Sequence, residues 1–343
     1  MFVIRQANKW PAAQLLAILF LLVSISGCQD KPQDIKAYQG ITMGTTFTVK
    51  WVPNQQESVD TNAINQALVD INQAMSTYID DSELSIINRL PANSSVELSA
   101  QLYTILVKAD EISEKSSGAF DVTVGPLVNL WGFGPDGRII KAPAQDQIDA
   151  IREKIGFEFL QLNKRELTKH KESYIDLSAI AKGYGVDVIA TLLESNGISS
   201  YLVEIGGELR AKGVKPDGSN WKIAIESPSA GFDRAIQKVI AVKDIGIATS
   251  GDYRNYFEEA GVRFSHTIDP NTGRPITHRL ASVTVLMPTC AEADAYATAM
   301  MVMGEESAFA FAIENNIEAF FIVKADQGFE EKMTPGFNHY LVQ

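Results

Sequence analysis

Strand-like and helix-like periodicities are interleaved along this chain without a regular strand–helix–strand rhythm, and that order constrains its fold most. Thr45 to Val52 alternates as a strand, with Phe47, Val49 and Trp51 on one side. Over 58–76 the spacing turns helical, with Ile64, Leu68, Ile71 and Met75 at steps of four, three and four. Ser99 is a natural N-cap for a second helix to Lys115, whose apolar face is Leu102, Ile105, Leu106, Ala109 and Ile112. Short strands are expected within 158–176, then a helix from Ser178 to Ser195 closed by Asn196-Gly197. The second half predicts strands at 200–205, 209–214, 221–226, 236–243 and 282–287, with a turn at Pro216-Asp217-Gly218. Helices near 291–303 and 305–315 and a strand at 318–323 follow. A regular alternation would predict a doubly wound sheet; this order predicts an α+β fold.

The first residues read as a leader outside that fold. Arg5 and Lys9 precede an unbroken apolar run from Leu15 to Val23, and Ile25-Ser26-Gly27-Cys28 follows. The run is too short for a membrane span, which needs about twenty apolar residues, and fits a signal peptide over 1–27. Its ending resembles the bacterial lipobox, in which the cysteine is lipidated and becomes the new N-terminus. A lipid on Cys28 would hold the protein at a membrane surface while its body stays soluble. The polar residues 28–39 read as a tether, and 40–343 as the folded domain. Removing the leader takes away two positive charges and no acids, so the formal net charge moves from −12 to −14. That argues against nucleic-acid binding, which uses a basic face. With Cys28 acylated, Cys290 is the one remaining cysteine, so the exported chain has no internal disulfide and relies on its core.

Chemistry concentrates in a few segments. His266, one of four histidines, opens a stretch to Pro275 that also holds Asp269, two threonines and Arg274, stiffened by Pro270, Gly273 and Pro275. A histidine on such a loop is a candidate base. Asp294 and Thr298 are four apart on the expected helix and share a face. Their oxygens suit Mg²⁺ better than zinc; the plainer alternative is a solvated Asp and a Thr bonded to its own helix. In Asp176-Leu-Ser-Ala-Ile-Ala-Lys-Gly183, Asp176 or Ser178 can cap the helix that follows. Lys182 can reach a phosphate there, or is simply exposed on a core helix. Gly206-Gly207-Glu208 fits a close backbone approach to a ligand or a plain hairpin turn. Ala248-Thr-Ser-Gly-Asp252 reads as a loop, either a phosphate cradle or a satisfied turn. Trp131-Gly-Phe-Gly-Pro135 and Met75-Ser-Thr-Tyr78 offer aromatic faces to a flat ligand, or to the core. The common nucleotide-binding glycine loops are missing from the sequence.

Taken in order, these segments resemble the ApbE family of flavin transferases. The resemblance runs from about 41 to 325: Met43-Gly-Thr, Met75-Ser-Thr-Tyr78, Gly118-Ala-Phe-Asp121, Asp176 to Gly183, Gly206-Gly207-Glu208, Ile225-Glu226-Ser-Pro228, Thr249-Ser-Gly-Asp252, the His266 loop, and Ala293-Asp-Ala-Tyr-Ala-Thr298. It implies two interleaved α/β lobes of an ApbE-like, T-fold-related α+β type with FAD between them. Met43, Tyr78, Ala119, Phe120, Asp121, Asp176, Lys182 and Ile268 match positions that contact FAD, with Tyr78 against the isoalloxazine. Asp294 and Thr298 match side-chain ligands of Mg²⁺, and Ala179 a backbone carbonyl ligand. Some relatives carry a further acid one residue before that threonine; here the position is Ala297.

The implied reaction moves FMN from FAD onto a threonine hydroxyl of an acceptor protein and releases AMP, with His266 as base. The implied acceptors are flavin-carrying subunits of Nqr/Rnf-type membrane redox complexes. The implied location is a lipid anchor on a bacterial membrane, facing the periplasm, on the inner or the outer membrane. Two other readings use the same residues: an FAD pyrophosphatase giving FMN and AMP, and a non-catalytic periplasmic FAD-binding lipoprotein.

Overall fold

The computed structural model describes residues 34–54, 59–135, 141–228, 235–253, 255–259 and 261–342. The leader, Cys28 and the first part of the expected tether lie outside the described residues. The chain opens on a hairpin of β1 (Lys36–Thr42) and β2 (Thr45–Trp51), then forms α1 (Thr61–Met75) and α2 (Glu83–Asn88). After β3 (Ser94–Glu97) come α3 (Ala100–Lys115), α4 (Gly125–Leu130) and α5 (Gln145–Arg152). Then follow β4 (Leu160–Asn163), β5 (Glu166–Lys169) and α6 (Ala181–Ser195). The next strands are β6 (Tyr201–Ile205), β7 (Glu208–Lys212), β8 (Trp221–Glu226), β9 (Ile236–Val242) and β10 (Ile245–Gly251). Two small hairpins, β11 (Tyr256–Glu259) with β12 (Val262–Ser265) and β13 (Ile268–Asp269) with β14 (Arg274–Pro275), lead to β15 (Leu280–Met287). The chain ends through α7 (Cys290–Met303), α8 (Glu305–Glu314), β16 (Glu318–Lys324) and β17 (Phe329–Met333).

The central element is an antiparallel sheet in the order β1-β2-β6-β7-β10-β15-β16-β17. Alternation along its strands gives it two apolar faces. On one face Phe47, Val49, Val203 and Ile205 pack against Ile189, Ala190 and Leu193 of α6, and Ala248, Val283 and Val285 share a core with α7. On the other face Ile247, Leu286, Phe320 and Ile322 meet Trp221, Ile223, Ile225, Ile240 and Val242 of the β8–β9 hairpin. A smaller cluster of Leu127, Trp131, Ile148, Phe257 and Ile268 supports the loops around His266.

The helices expected from apolar spacing form as the spacing dictates. Asp60 caps α1 by accepting from Asn62 N at 2.9 Å, and Ile64, Leu68, Ile71 and Met75 are buried. Each such side chain contributes roughly 1.5–3 kcal/mol on full burial. Ser99 caps α3, accepting from Leu102 N at 3.2 Å. α7 is buried almost all round and therefore central rather than amphipathic; Thr289 caps it.

Three expectations are corrected. Lys36 to Gln39, expected in the tether, pair with Trp51 to Thr48 as an edge strand; their outward-facing polar residues hide the strand period. Thr249, Ser250 and Gly251, expected in a loop, end strand β10 between β7 and β15. α6 begins at Ala181, not Ser178, and neither Asp176 nor Ser178 caps it. Asp176 instead accepts from Ser178 N at 2.8 Å and Ser178 Oγ at 2.5 Å, closing a separate turn before the helix. The short elements β3, α2, α4, α5, β11, β12 and β17 carry too few residues for a clear period. No helix among the described residues is long and apolar enough to cross a membrane.

Candidate active site

Distant parts of the sequence converge on one cleft of about 790 Å³, within the roughly 300–1,000 Å³ range of small-molecule sites. Tyr78, Ala119, Phe120 and Asp121 line it from the N-terminal half. Asp176, Ala179 and Lys182 line it from the turn before α6 and the start of that helix. His266, Ile268, Asp294 and Thr298 complete it from the C-terminal half. Met43 is not among the lining residues: with Gly44 it forms the β1–β2 turn, at φ of 49° and 70°. Its side chain reaches under the site toward Gly185, while its neighbours Thr45 and Thr46 line the wall.

At one end of the cleft, charges crowd where α6 crosses α7. Asp294 is buried, and its Oδ2 accepts from Gly183 N at 3.0 Å. The solvated-Asp alternative therefore does not hold. The approach depends on Gly183, whose added Cβ would lie 2.4 Å from Cys290 O. Lys182 Nζ sits 2.8 Å from Glu208 Oε1 and 3.9 Å from Asp294 Oδ2. Burial lowers the lysine pKa, but Asp294 and Glu208 outweigh it and hold the ammonium above the ordinary lysine range. Burial pushes Asp294 up to about 7 against the pull of Lys182, with Glu208 and Asp187 adding repulsion.

Two carboxylates therefore share one ammonium, and Glu208 Oε2 is buried without a hydrogen-bond partner. Such a cluster fits one more cation. Among the described residues no three His, Cys, Asp or Glu side chains gather as a metal cluster. The ligands that the resemblance implies for a cation, Asp294, the Thr298 hydroxyl and the Ala179 carbonyl, all belong to residues lining this cleft, and water or substrate oxygens would supply the rest. This hard-oxygen set suits Mg²⁺. Asp187 braces the helix behind it, accepting from Cys290 N at 3.0 Å and Ala291 N at 2.9 Å while pairing with Arg210 at 2.9 Å.

Across the cleft, Asp121 accepts from Thr123 N at 2.7 Å and Thr123 Oγ1 at 2.6 Å. Burial raises its pKa despite these bonds. Tyr78 is 69% exposed and leaves a ring face open at the mouth. Trp131, offered by the sequence as a ligand face, is core instead: it stacks on Phe264 and donates to Gly273 O at 2.9 Å. Phe133 from the same motif does line the cleft.

His266 is held at both backbone and ring. Its backbone N donates to Asn255 O at 3.1 Å, and its ring Nδ1 lies 3.1 Å from the same oxygen. A carbonyl only accepts, so Nδ1 carries the hydrogen and Nε2 keeps a lone pair. Phe133 meets the ring edge-on, with centroids 6.3 Å apart. Burial lowers the His266 pKa below the ordinary 6.5, aided by Lys182 and opposed by the Asn255 carbonyl and Asp252. The ring is therefore neutral near pH 7 and able to take a proton. The expected stiffness of the loop also holds: Gly273 N donates to Asp269 O at 2.8 Å, Asn271 N to Asp269 Oδ1 at 2.9 Å, and Ile276 N to Thr267 O at 3.0 Å.

The ApbE family profile matches residues 43–321. The chain belongs to the ApbE family. It is 46% identical to an FAD:protein FMN transferase from Vibrio cholerae over 331 residues, covering 95% of this chain and 98% of that one. It also resembles the solved flavin transferase ApbE from Vibrio cholerae, with a TM-score of 0.84 and 46% identity over 90% of this chain and 99% of that one. The apo flavinyl transferase ApbE of Pseudomonas stutzeri gives 0.83 and 42% over 90% and 96%. The α+β fold class is that of these ApbE structures. Within this ApbE chain, sequence reasoning passed over Glu208, Asp187 and Asn255. Glu208 stood in a motif valued for its glycines, Asp187 lay unremarked inside α6, and Asn255 acts through its backbone, which leaves no side-chain signal.

Proposed function

We propose that this protein transfers FMN from FAD to a threonine hydroxyl of an acceptor protein and releases AMP. One observation carries the reading: a neutral histidine with a free Nε2 and an ammonium–carboxylate–hydroxyl cluster line the same cleft, in a chain whose relatives are named FAD:protein FMN transferases. The threonine oxygen bonds to the FMN phosphorus, the pyrophosphate P–O bond breaks, and AMP leaves with that oxygen. His266 Nε2 takes the threonine proton. Lys182 meets the pyrophosphate, and the open face of Tyr78 takes the isoalloxazine. Asp294, Thr298 and the Ala179 carbonyl hold Mg²⁺, which supplies charge neutralisation at the phosphates.

The acceptors are flavin-carrying subunits of Nqr/Rnf-type complexes, and the lipid on Cys28 holds the enzyme on the same periplasm-facing membrane surface. The resemblance and the lipobox support both statements. A shared surface raises the effective concentration of the two proteins.

Incubation with FAD, Mg²⁺ and the organism's membrane fraction, followed by mass analysis, tests this. An acceptor heavier by one FMN, on a threonine, is the expected result. Free FMN and AMP with no labelled acceptor would establish the pyrophosphatase instead, and bound but unconverted FAD a carrier. The His266 environment also sets a pH dependence. With Mg²⁺ saturating, so that Asp294 stays ionised, transfer should fall as pH drops through the His266 pKa. That limb is expected below pH 6.5, the ordinary histidine value, because burial disfavours the imidazolium. A limb at or above that value in the pH–rate profile would contradict this environment.

A further inference from the structure

Glu208 has no role in the reaction as derived so far, yet its placement is costly. It opens β7 directly after the Gly206–Gly207 turn, where φ is 63° and 112°. It is 5% exposed in the cleft wall. Oε1 holds Lys182 at 2.8 Å, while Oε2 is buried with no partner. A buried carboxylate oxygen left unmatched is destabilising unless a ligand completes it. Lys182 lies between Glu208 and Asp294, at 2.8 Å and 3.9 Å, so both carboxylates approach one ammonium, and both line the cleft with Thr298. The turn is tightly packed: a Cβ on Gly206 would lie 2.8 Å from Thr45 Cγ2 and touch Lys182 Cδ at 3.4 Å.

Resting on the Mg²⁺ assignment above, we propose that Glu208 is an outer carboxylate of the cation site. Its free Oε2 accepts a hydrogen bond from a water bound to the cation that Asp294 and Thr298 hold. Mg²⁺ keeps several waters when few protein ligands are available, and a carboxylate that orients such a water strengthens the site. Glu208 thereby has two positioning tasks: Oε1 aims Lys182, and Oε2 anchors the cation's water shell.

Mn²⁺ titration followed by electron paramagnetic resonance on the full chain without FAD tests this apart from catalysis. Glu208→Ala is expected to weaken Mn²⁺ binding by about 10–100-fold, the range for outer-shell partners of metal sites. Glu208→Gln keeps the shape, guards against misfolding and should weaken binding in the same direction. Circular dichroism confirms that each variant is folded. Mn²⁺ affinity within twofold of wild type in a folded Glu208 variant overturns the proposal. Asp294→Ala separates the two failures. If it abolishes Mn²⁺ binding while the Glu208 variants do not, only the role of Glu208 falls; if it also binds normally, the cation assignment falls with it.

Discussion

Replacing His266 by alanine is expected to slow FMN transfer by about 10²–10⁴-fold, the usual contribution of a positioned general base, while FAD affinity stays near wild type. Loss of the ring removes the free Nε2 and with it the acceptor for the threonine proton. It leaves little else undone. Asn255 O still accepts from the backbone N of residue 266 at 3.1 Å, so no buried carbonyl is orphaned. Lys182 and Tyr78, proposed to meet the pyrophosphate and the isoalloxazine, line the cleft from other elements. Single-turnover transfer to an acceptor domain and a flavin-fluorescence titration separate the two effects. An unchanged transfer rate would mean that another group activates the hydroxyl.

Gly183→Ala should damage stability and site together. The added Cβ would sit 2.4 Å from Cys290 O, 2.7 Å from Cys290 C and 2.8 Å from Ala291 Cα. These are backbone atoms at the start of α7 and cannot swing aside. Alanine favours a helix over glycine by about 1 kcal/mol, yet overpacking at such a contact costs about 1–3 kcal/mol. We therefore expect a lower Tm in spite of the better helix former. Relief of the clash also parts Gly183 N from Asp294 Oδ2, now 3.0 Å apart, and shifts Lys182 beside it. Mg²⁺-dependent FAD binding should weaken with the Tm. Wild-type melting and FAD binding in Gly183→Ala would show that the two helices can yield.

Much of this was legible in the residues because long periodic segments announce themselves. α1 carries its apolar face in sequence and α3 both its cap and its face, and α7 reveals itself by Asp294 and Thr298 on one face of an alanine-rich run. Short or solvent-edged elements were not legible. β1 alternates between solvent and half-buried positions, so its period is not hydrophobic. β10 ends in Thr-Ser-Gly, residues typical of turns, yet Thr249, Ser250 and Gly251 stay in the strand because they pair with Thr284, Val283 and Ser282 of β15, which supplies what local propensity does not. Asp176 looked like a cap because cap and turn use the same side-chain bond; only the start of α6 at Ala181 separates them.

By itself the sequence determined the α+β class, the long helices and most residue types that line the cleft, since burial periodicity and chemical identity are local properties. The tertiary structure decided which of these groups meet. It brought Lys182 and Glu208 together across the Gly206–Gly207 turn, placed Asp294 against the backbone of Gly183, and set the His266 tautomer through Asn255 O. Charge balance and proton position depend on ångström distances between residues remote in the chain, and no spacing along the chain encodes them.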